Sequence, residues 1–369
     1  MKTNRLYRIL TMLVATNIIL AMLVATITIA AGCGGSEPTQ QQANNAIDEE
    51  EEELNTRHNP VFSLFDSDGQ GSYQLYRNSD KIATFTLEGG QKPLEMCSHG
   101  DNCYILVSRS QVKDSTDSVS LNAAILKNGR RIIEFDDNLQ AMHFNMDEGH
   151  FYVLGKLGDT EYTVYRDGLR VLSFPIKDGS VPADIHVFGQ TIYTAMQCGK
   201  TTDIYKDNQK LYSVNGTCKD LKVSFRGVYV LVDDTLYVDR NVLMSNEYYR
   251  HSDKELYAFP TMIATSDKNV LVGSRASFDK LHTYAGMFVN QQTYSTIKPD
   301  DKQIGTSELS TVCCGVAVSD ETYYYAVAVL NPDMTMQTPI TYHFCTDHSE
   351  SFVLKFDNDN ARLLMMTSN

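Results

Sequence analysis

Apolar and polar residues alternate in short runs along most of this chain. In TVYRDGLRVLSF, residues 163–174, Val164 and Tyr165 lead into Arg166-Asp167-Gly168, and Val171, Leu172 and Phe174 follow. The pattern predicts a strand, a tight turn and a second strand. Side chains on a strand point alternately to its two faces, and Asp-Gly takes the positive φ that a two-residue hairpin turn needs. Related text recurs around Asn78, Asn128, Asp207, Asp239, Asn290 and Asn358, so the chain carries seven such hairpins about 47 residues apart on average. Between them lies a second pattern, an apolar strand, a short polar turn and an aromatic-rich strand, as in 185–193, 221–230 and 322–327. Each unit of about 40–50 residues therefore holds four short strands. No long stretch places apolar residues at helical spacing.

Four antiparallel strands repeated around seven times is the pattern of an all-β ring of sheets, a β-propeller of about seven blades, with six as the close rival. A β-helix or a two-sheet sandwich fits a four-strand unit poorly. The repeats resemble those of bacterial secreted proteins that end in a Tyr/Phe-Lys/Arg-Asn/Asp-Gly hairpin, as in Tyr165-Arg166-Asp167-Gly168, although only Asn128-Gly129 and Asp167-Gly168 keep the glycine. That likeness covers roughly 60–366 and implies propeller blades. The first unit, Pro60–Leu87, has room for three strands only, and an insertion is expected around Asn331–Ser349.

The N-terminus departs from the repeat. Lys2, Arg5 and Arg8 precede an apolar run from Ile9 to Ala31, which ends in Ala30-Ala31-Gly32-Cys33. A charged start, an apolar stretch and small residues at a cut describe a secretory signal over 1–32. With the cysteine in that place it resembles a bacterial lipoprotein signal, which implies cleavage before Cys33 and lipidation of its thiol. The run is also long enough for an uncleaved membrane anchor. Residues 33–57 hold Gly, Ser, Gln and Asn and then the acidic block Glu49–Glu53. With almost no apolar residues they make a tether, and the folded body is 58–369. The resemblance implies a membrane attachment through the lipid, in the cell envelope. The outer membrane or cell surface of a Gram-negative bacterium is the expected location.

Charge narrows the function classes. The 369 residues carry a net −14, and losing the three basic signal residues leaves −17. There is no basic stripe, so nucleic acid is not an expected partner. Seven cysteines remain beyond Cys33, and Cys97 and Cys103 flank a turn-like segment they could bridge. No Cys-x-x-Cys pair occurs, and no pattern calls for a metal or a cofactor.

Candidate site residues are few. His143 and His186 fall at matching places in neighbouring units, with Val223 expected at that place in the next. Both histidines could face a central channel or pack in the core. Asp347-His348-Ser349 invites a triad reading, although catalysis needs those groups in spatial order and not in sequence. Asp147, Glu148, Asp233 and Asp234 could form the carboxylate pair of glycoside hydrolysis. Asp66-Ser67-Asp68-Gly69 resembles the start of a calcium loop but lacks the later glutamate, which favours a solvated turn. The expected function is a binding scaffold for an envelope protein or a glycan, with recognition on stretches that depart from the repeat: 111–120, 247–258 and 331–349. The alternative is an extracytoplasmic glycan-active hydrolase or lyase at the channel mouth. Two carboxylates, or a histidine with a carboxylate, converging in one channel pocket would favour the enzyme. A mouth lined by Tyr, Ser and Val would favour the binder.

Overall fold

A computed structural model describes residues 60–368, apart from 88–89, 110–122, 136–138, 177–178, 246–247, 252–253, 268, 278–283, 291, 298–309, 320–321, 331–339, 347–348 and 358–359. Every regular element among the described residues is a strand. Blade I takes β1 (Val61–Asp66), β2 (Ser72–Arg77) and β3 (Asp80–Thr86). Blade II is β4 (Gln91–His99), β5 (Asn102–Arg109), β6 (Ala124–Lys127) and β7 (Arg130–Glu134). Blade III is β8 (Leu139–Asp147), β9 (His150–Leu157), β10 (Glu161–Arg166) and β11 (Leu169–Pro175). Blade IV is β12 (Ser180–Phe188), β13 (Thr191–Cys198), β14 (Thr201–Lys206) and β15 (Gln209–Asn215). Blade V is β16 (Cys218–Ser224), β17 (Gly227–Val232), β18 (Thr235–Val238) and β19 (Asn241–Met244). Blade VI adds a short strand β20 (Tyr248–His251) to β21 (Lys254–Thr265), β22 (Val270–Ser277), β23 (Tyr284–Val289) and β24 (Gln292–Ile297). Blade VII is β25 (Ser310–Ser319), β26 (Thr322–Leu330), β27 (Ile340–Thr346) and β28 (Ser349–Phe356), and the chain ends in β29 (Arg362–Ser368).

The sheet orders make this a seven-bladed β-propeller, which decides seven over six. The first sheet runs β29-β1-β2-β3, so the last strand of the chain supplies the innermost strand of the first blade. Phe62 pairs with Thr367 and Val61 with Ser368. This explains why the first unit holds three strands: its fourth comes from the other end of the chain. It also corrects two expectations. The seventh marker, Asn358, lies outside the described residues, and the strands on either side of it, β28 and β29, belong to different sheets and do not form one hairpin. The supposed insertion at 331–349 contains β27, an ordinary third strand of its blade.

The other six markers share one geometry that explains why they are Asn or Asp. Asn78, Asn128, Asp167, Asp207, Asp239 and Asn290 all have φ between 44° and 52°. Each sits between the third and fourth strands and folds back on the second. The Asn128 N–H donates to the Cys103 carbonyl at 2.8 Å, and its Oδ1 accepts the Cys103 N–H at 2.9 Å. Asp207 makes the same pair with Ile192, and Asn290 with Val270. A short side chain with an acceptor that tolerates the left-handed region is what the position demands. Glycine is optional one residue later, where Asp239 is followed by Arg240 at φ 78°.

The core lies between blades. Leu106 and Ile125 of blade II pack against Leu139, Phe144 and Val153 of blade III. Each such side chain contributes about 1.5–3 kcal/mol on burial, and repeating the interface divides the core among the blades. The described cysteines are all free thiols, so the Cys97–Cys103 bridge is not formed. Register is the reason: Cys97 pairs with Tyr104 and Cys103 with Ser98. A one-residue offset sends the two thiols to opposite faces of the sheet.

Candidate functional site

The seven innermost strands, β29, β4, β8, β12, β16, β21 and β25, surround a channel. Most carry a bulge at the same depth, between Pro93 and Glu95, Ala141 and His143, Pro182 and Asp184, Cys218 and Asp220, Pro260 and Met262, and Cys313 and Gly315. Three of these begin at proline, which has no N–H to donate and suits a break in the ladder. The bulges set a common register. The first residue past each is Glu95, His143, Asp184, Asp220, Met262 and Gly315. Two residues further on stand Cys97, Asn145, His186, Lys222, Ala264 and Ala317. His143 and His186 are therefore not equivalent. His143 aligns with Asp184, while His186 aligns with Asn145 and with Lys222, not with Val223.

One side of the channel is thus ionic and the other apolar. A cavity of about 1320 Å³ occupies the space between them, reaching from the bulges to the turns after the innermost strands. Glu95, His143, Asp184, Asp220 and Lys222 form one wall, facing Met262, Ala264, Val316, Ala317 and Met366.

The ionic wall staples consecutive blades. Glu95 Oε1 meets His143 Nδ1 at 2.7 Å, and its Oε2 accepts the Phe144 N–H. The His143 ring also bonds the Pro182 carbonyl of the next blade. Asp184 Oδ2 accepts the Leu221 N–H at 2.6 Å, and its Oδ1 accepts the Ile185 N–H at 2.7 Å. Asp220 Oδ2 accepts the Ile263 N–H at 3.3 Å, and its Oδ1 takes the Lys222 ammonium. Lys222 stands 4.0 Å from Asp184. Asn145 Oδ1 accepts the Val187 N–H at 3.0 Å. Each of these side chains spans a seam that no strand ladder crosses.

The environment shifts their protonation. Burial works against a charged His143, but the hydrogen bond and charge of Glu95, with Asp184 and the Pro182 carbonyl, raise its pKa above the usual value. With acceptors on both sides, the ring is suited to the imidazolium form. Burial raises Asp184 and Asp220 against the opposing pull of Lys222. Lys222 is itself raised, since burial is outweighed by Asp220, Asp184 and Glu95. His186 goes the other way, to about 3, through burial and the nearby Lys222 charge. It is a neutral ring that faces Asn145 Nδ2 at 3.5 Å and bonds the Val223 backbone. Burial pushes the Cys97 thiol up to about 12, so it is no nucleophile at neutral pH.

Donor atoms of Glu95, His143 and Asp184 lie within 4.8 Å of one another, a spacing that could hold a metal ion. The positive charge such a site would supply already comes from His143 and Lys222. The Glu95–His143 pair is the histidine–carboxylate convergence that favours an enzyme, although both carboxylate oxygens are engaged.

The remaining sequence candidates separate. Asp147 ends β8 and Glu148 stands in the turn after it, and Asp233 and Asp234 occupy the turn between β17 and β18. In an antiparallel blade those turns lie at opposite ends of the ring, so the four acids cannot share a sugar. In the calcium-like stretch Asp66 Oδ1 accepts the Gly69 N–H at 2.8 Å and Asp68 Oδ1 the Gln70 N–H at 2.7 Å, a turn that caps itself. Cys33, Asp347 and His348 lie outside the described residues. Thr346 and Ser349 pair on either side of the last two, where the other blades carry their Asn or Asp marker. Glu95, Asp184, Asp220 and Lys222 were missed by sequence reasoning. The recurring Pro93-Leu94-Glu95, Pro182-Ala183-Asp184 and Pro260-Thr261-Met262 would have set the register that reveals them.

No family model matches the chain, and no curated protein matches its sequence. Among solved structures it is similar to BamB from Moraxella catarrhalis, at 8% identity and TM-score 0.41, covering 80% of this chain and 94% of that one. It is also similar to the periplasmic gluconolactonase PpgL of Pseudomonas aeruginosa, at 9% identity and TM-score 0.43, covering 81% and 99%. A third is BBS1N, solved in complex with ARL6DN, at 11% identity and TM-score 0.44, covering 71% and 83%. The propeller assignment rests on the strand order itself.

Proposed function

We propose that this protein is a lipid-anchored propeller of the cell envelope that binds an envelope protein or a glycan. Cleavage before Cys33 and acylation of its thiol attach it to the membrane. Residues 33–57 serve as tether and 58–369 as the binding body. The observation that carries the binding reading is how the channel's charged residues are used. Glu95, Asp184 and Asp220 each hold a backbone N–H of the next blade. Groups fixed in that way give a rigid scaffold, on which recognition falls to turns and connections. The stretches proposed to carry it are 111–120, 247–258 and 331–349, of which 111–120 and 331–339 lie outside the described residues and 247–258 includes β20 and the start of β21.

The anchor is tested by labelling cells with an alkyne palmitate analogue. Label on the wild type and none on Cys33→Ala supports it, and label on neither overturns it. Binding is tested by probing the purified protein against a glycan array and envelope-protein extract in parallel. A saturable hit lost on replacing 331–339 with a short Gly-Ser linker supports a scaffold.

A second reading is a glycan-active hydrolase or lyase. The specific observation in its favour is the 2.7 Å pair of Glu95 and His143 in a solvent-reached cavity. Such a pair is suited to general acid–base work. Glycan turnover abolished by His143→Gln in a protein that still melts cooperatively would establish it.

A further inference from the structure

The channel mouth beside the turns that follow β8, β12, β16 and β21 has a chemistry unlike the stapled wall beneath it. Phe225, directly after β16, is 75% exposed. It is held there from both sides. Its N–H donates to the Asp267 carbonyl at 3.0 Å, and its ring meets Phe188 edge-to-face with centroids 4.9 Å apart. Phe188, Asp147 and Asp267 all line the cavity. Taken around the ring, blades III to VI contribute a carboxylate, a ring, a ring and a carboxylate. Asp147 accepts the Gln190 N–H at 2.8 Å, and the neighbouring Glu148 accepts Gln190 Nε2 at 3.1 Å. Those donors are neutral amides, so the negative charges stand.

The charges further in keep the same sign. Glu95, Asp147, Asp184, Asp220 and Asp267 line the cavity, against Lys222 and His143. Lys219 is taken by Asp234 at 2.9 Å. Arg226 shares the turn of Phe225, and its charge acts on Tyr229. The chain as a whole carries −14, which draws cations toward it.

We propose that this mouth binds a cationic side chain, a lysine or arginine in a basic segment of a protein partner. The aliphatic stem lies against Phe188 and Phe225, where the ring faces attract the charge, and the head meets Asp147 or Asp267. This rests on the binding reading above and chooses protein over glycan. Rings flanked by carboxylates that lack a cationic partner among the described residues reward a positive charge more than a neutral hydroxyl.

The test is fluorescence anisotropy with purified full-length protein in detergent and a labelled peptide of alternating arginine and glycine. A citrulline version keeps the shape and removes the charge. The arginine peptide is expected to bind saturably, and the citrulline peptide about ten-fold more weakly, the loss of one charge-assisted contact. Phe225→Ala and Asp267→Asn should each weaken binding about five-fold, while Phe225→Tyr retains it. Both residues are exposed, and an unchanged melting temperature confirms that the variants fold. Equal binding of arginine and citrulline peptides, or no effect of Phe225→Ala, overturns the proposal. So does a mouth that ignores both peptides. If an oligosaccharide then binds, the proposal fails and the scaffold reading stands. If neither peptide nor oligosaccharide binds and the envelope extract yields no hit, both fail.

Discussion

Asp184 of blade IV accepts the Leu221 amide of blade V at 2.6 Å while Lys222, one residue on, stands 4.0 Å away. One carboxylate thus satisfies a backbone donor and balances a lysine across a seam that strand pairing does not cross. Asp184→Ala should leave the Leu221 N–H without its acceptor, while Lys222 keeps Asp220. A buried donor left unsatisfied in this way costs about 1–3 kcal/mol. Urea denaturation should show a midpoint shift of that size with an unchanged slope, and Asp184→Asn should fall between the two.

The marker turns should rank their substitutions by two requirements, a positive φ and a short acceptor. At Asn128 we expect Asp to cost least, keeping the bond to Cys103 and losing only the one from Nδ2 to Asn102 Oδ1. Gly should lose the bond to the Cys103 N–H, and Ala should lose the bond and also strain the backbone at φ 49°. The loss of the bond is worth about 1–3 kcal/mol and the strain about 1–2 kcal/mol more. Thermal melts of the three variants test the order, and an alanine variant as stable as glycine would refute it.

His186 should make the fold sensitive to acid. Its folded pKa of about 3 lies below the ordinary value, so the unfolded chain binds the extra proton first. Stability is complete above about pH 6.5 and is lost as pH falls toward 3. A His186→Gln variant should show a shallower loss over that window in denaturation measured at steps of pH.

His143 has the opposite sign. Its pKa is raised, so the native state holds the proton longer. Its contribution is full below about pH 6.5 and is lost as pH rises through the folded value. The ring proton at His143, followed by NMR, should titrate above the ordinary histidine range. Glu95→Gln should bring it down.

Removing β29 should unfold the ring rather than trim it. Without Arg362–Ser368, β1 loses its inner partner and blade I is left with three strands. A chain stopped after Ala361 should lose its cooperative melt. A retained melt would show that closure is dispensable.

The sequence of this protein determined its architecture to a large degree, because each blade's signals are local. The alternation and the six Asn/Asp turns make their contacts within a single blade, so strands, period and propeller class could be read directly. Only the tertiary structure decided the rest, because it depends on residues far apart in the chain. Closure pairs Phe62 with Thr367, which local reading saw only as a missing strand. The Cys97–Cys103 bridge looked feasible by spacing and failed on a one-residue register. Glu95, His143, Asp184, Asp220 and Lys222 sit on four separate blades, with no shared spacing to connect them. They come together because bulges at one depth in successive inner strands bring those positions to the same level of the channel wall, where at successive seams a backbone N–H of the next blade needs an acceptor.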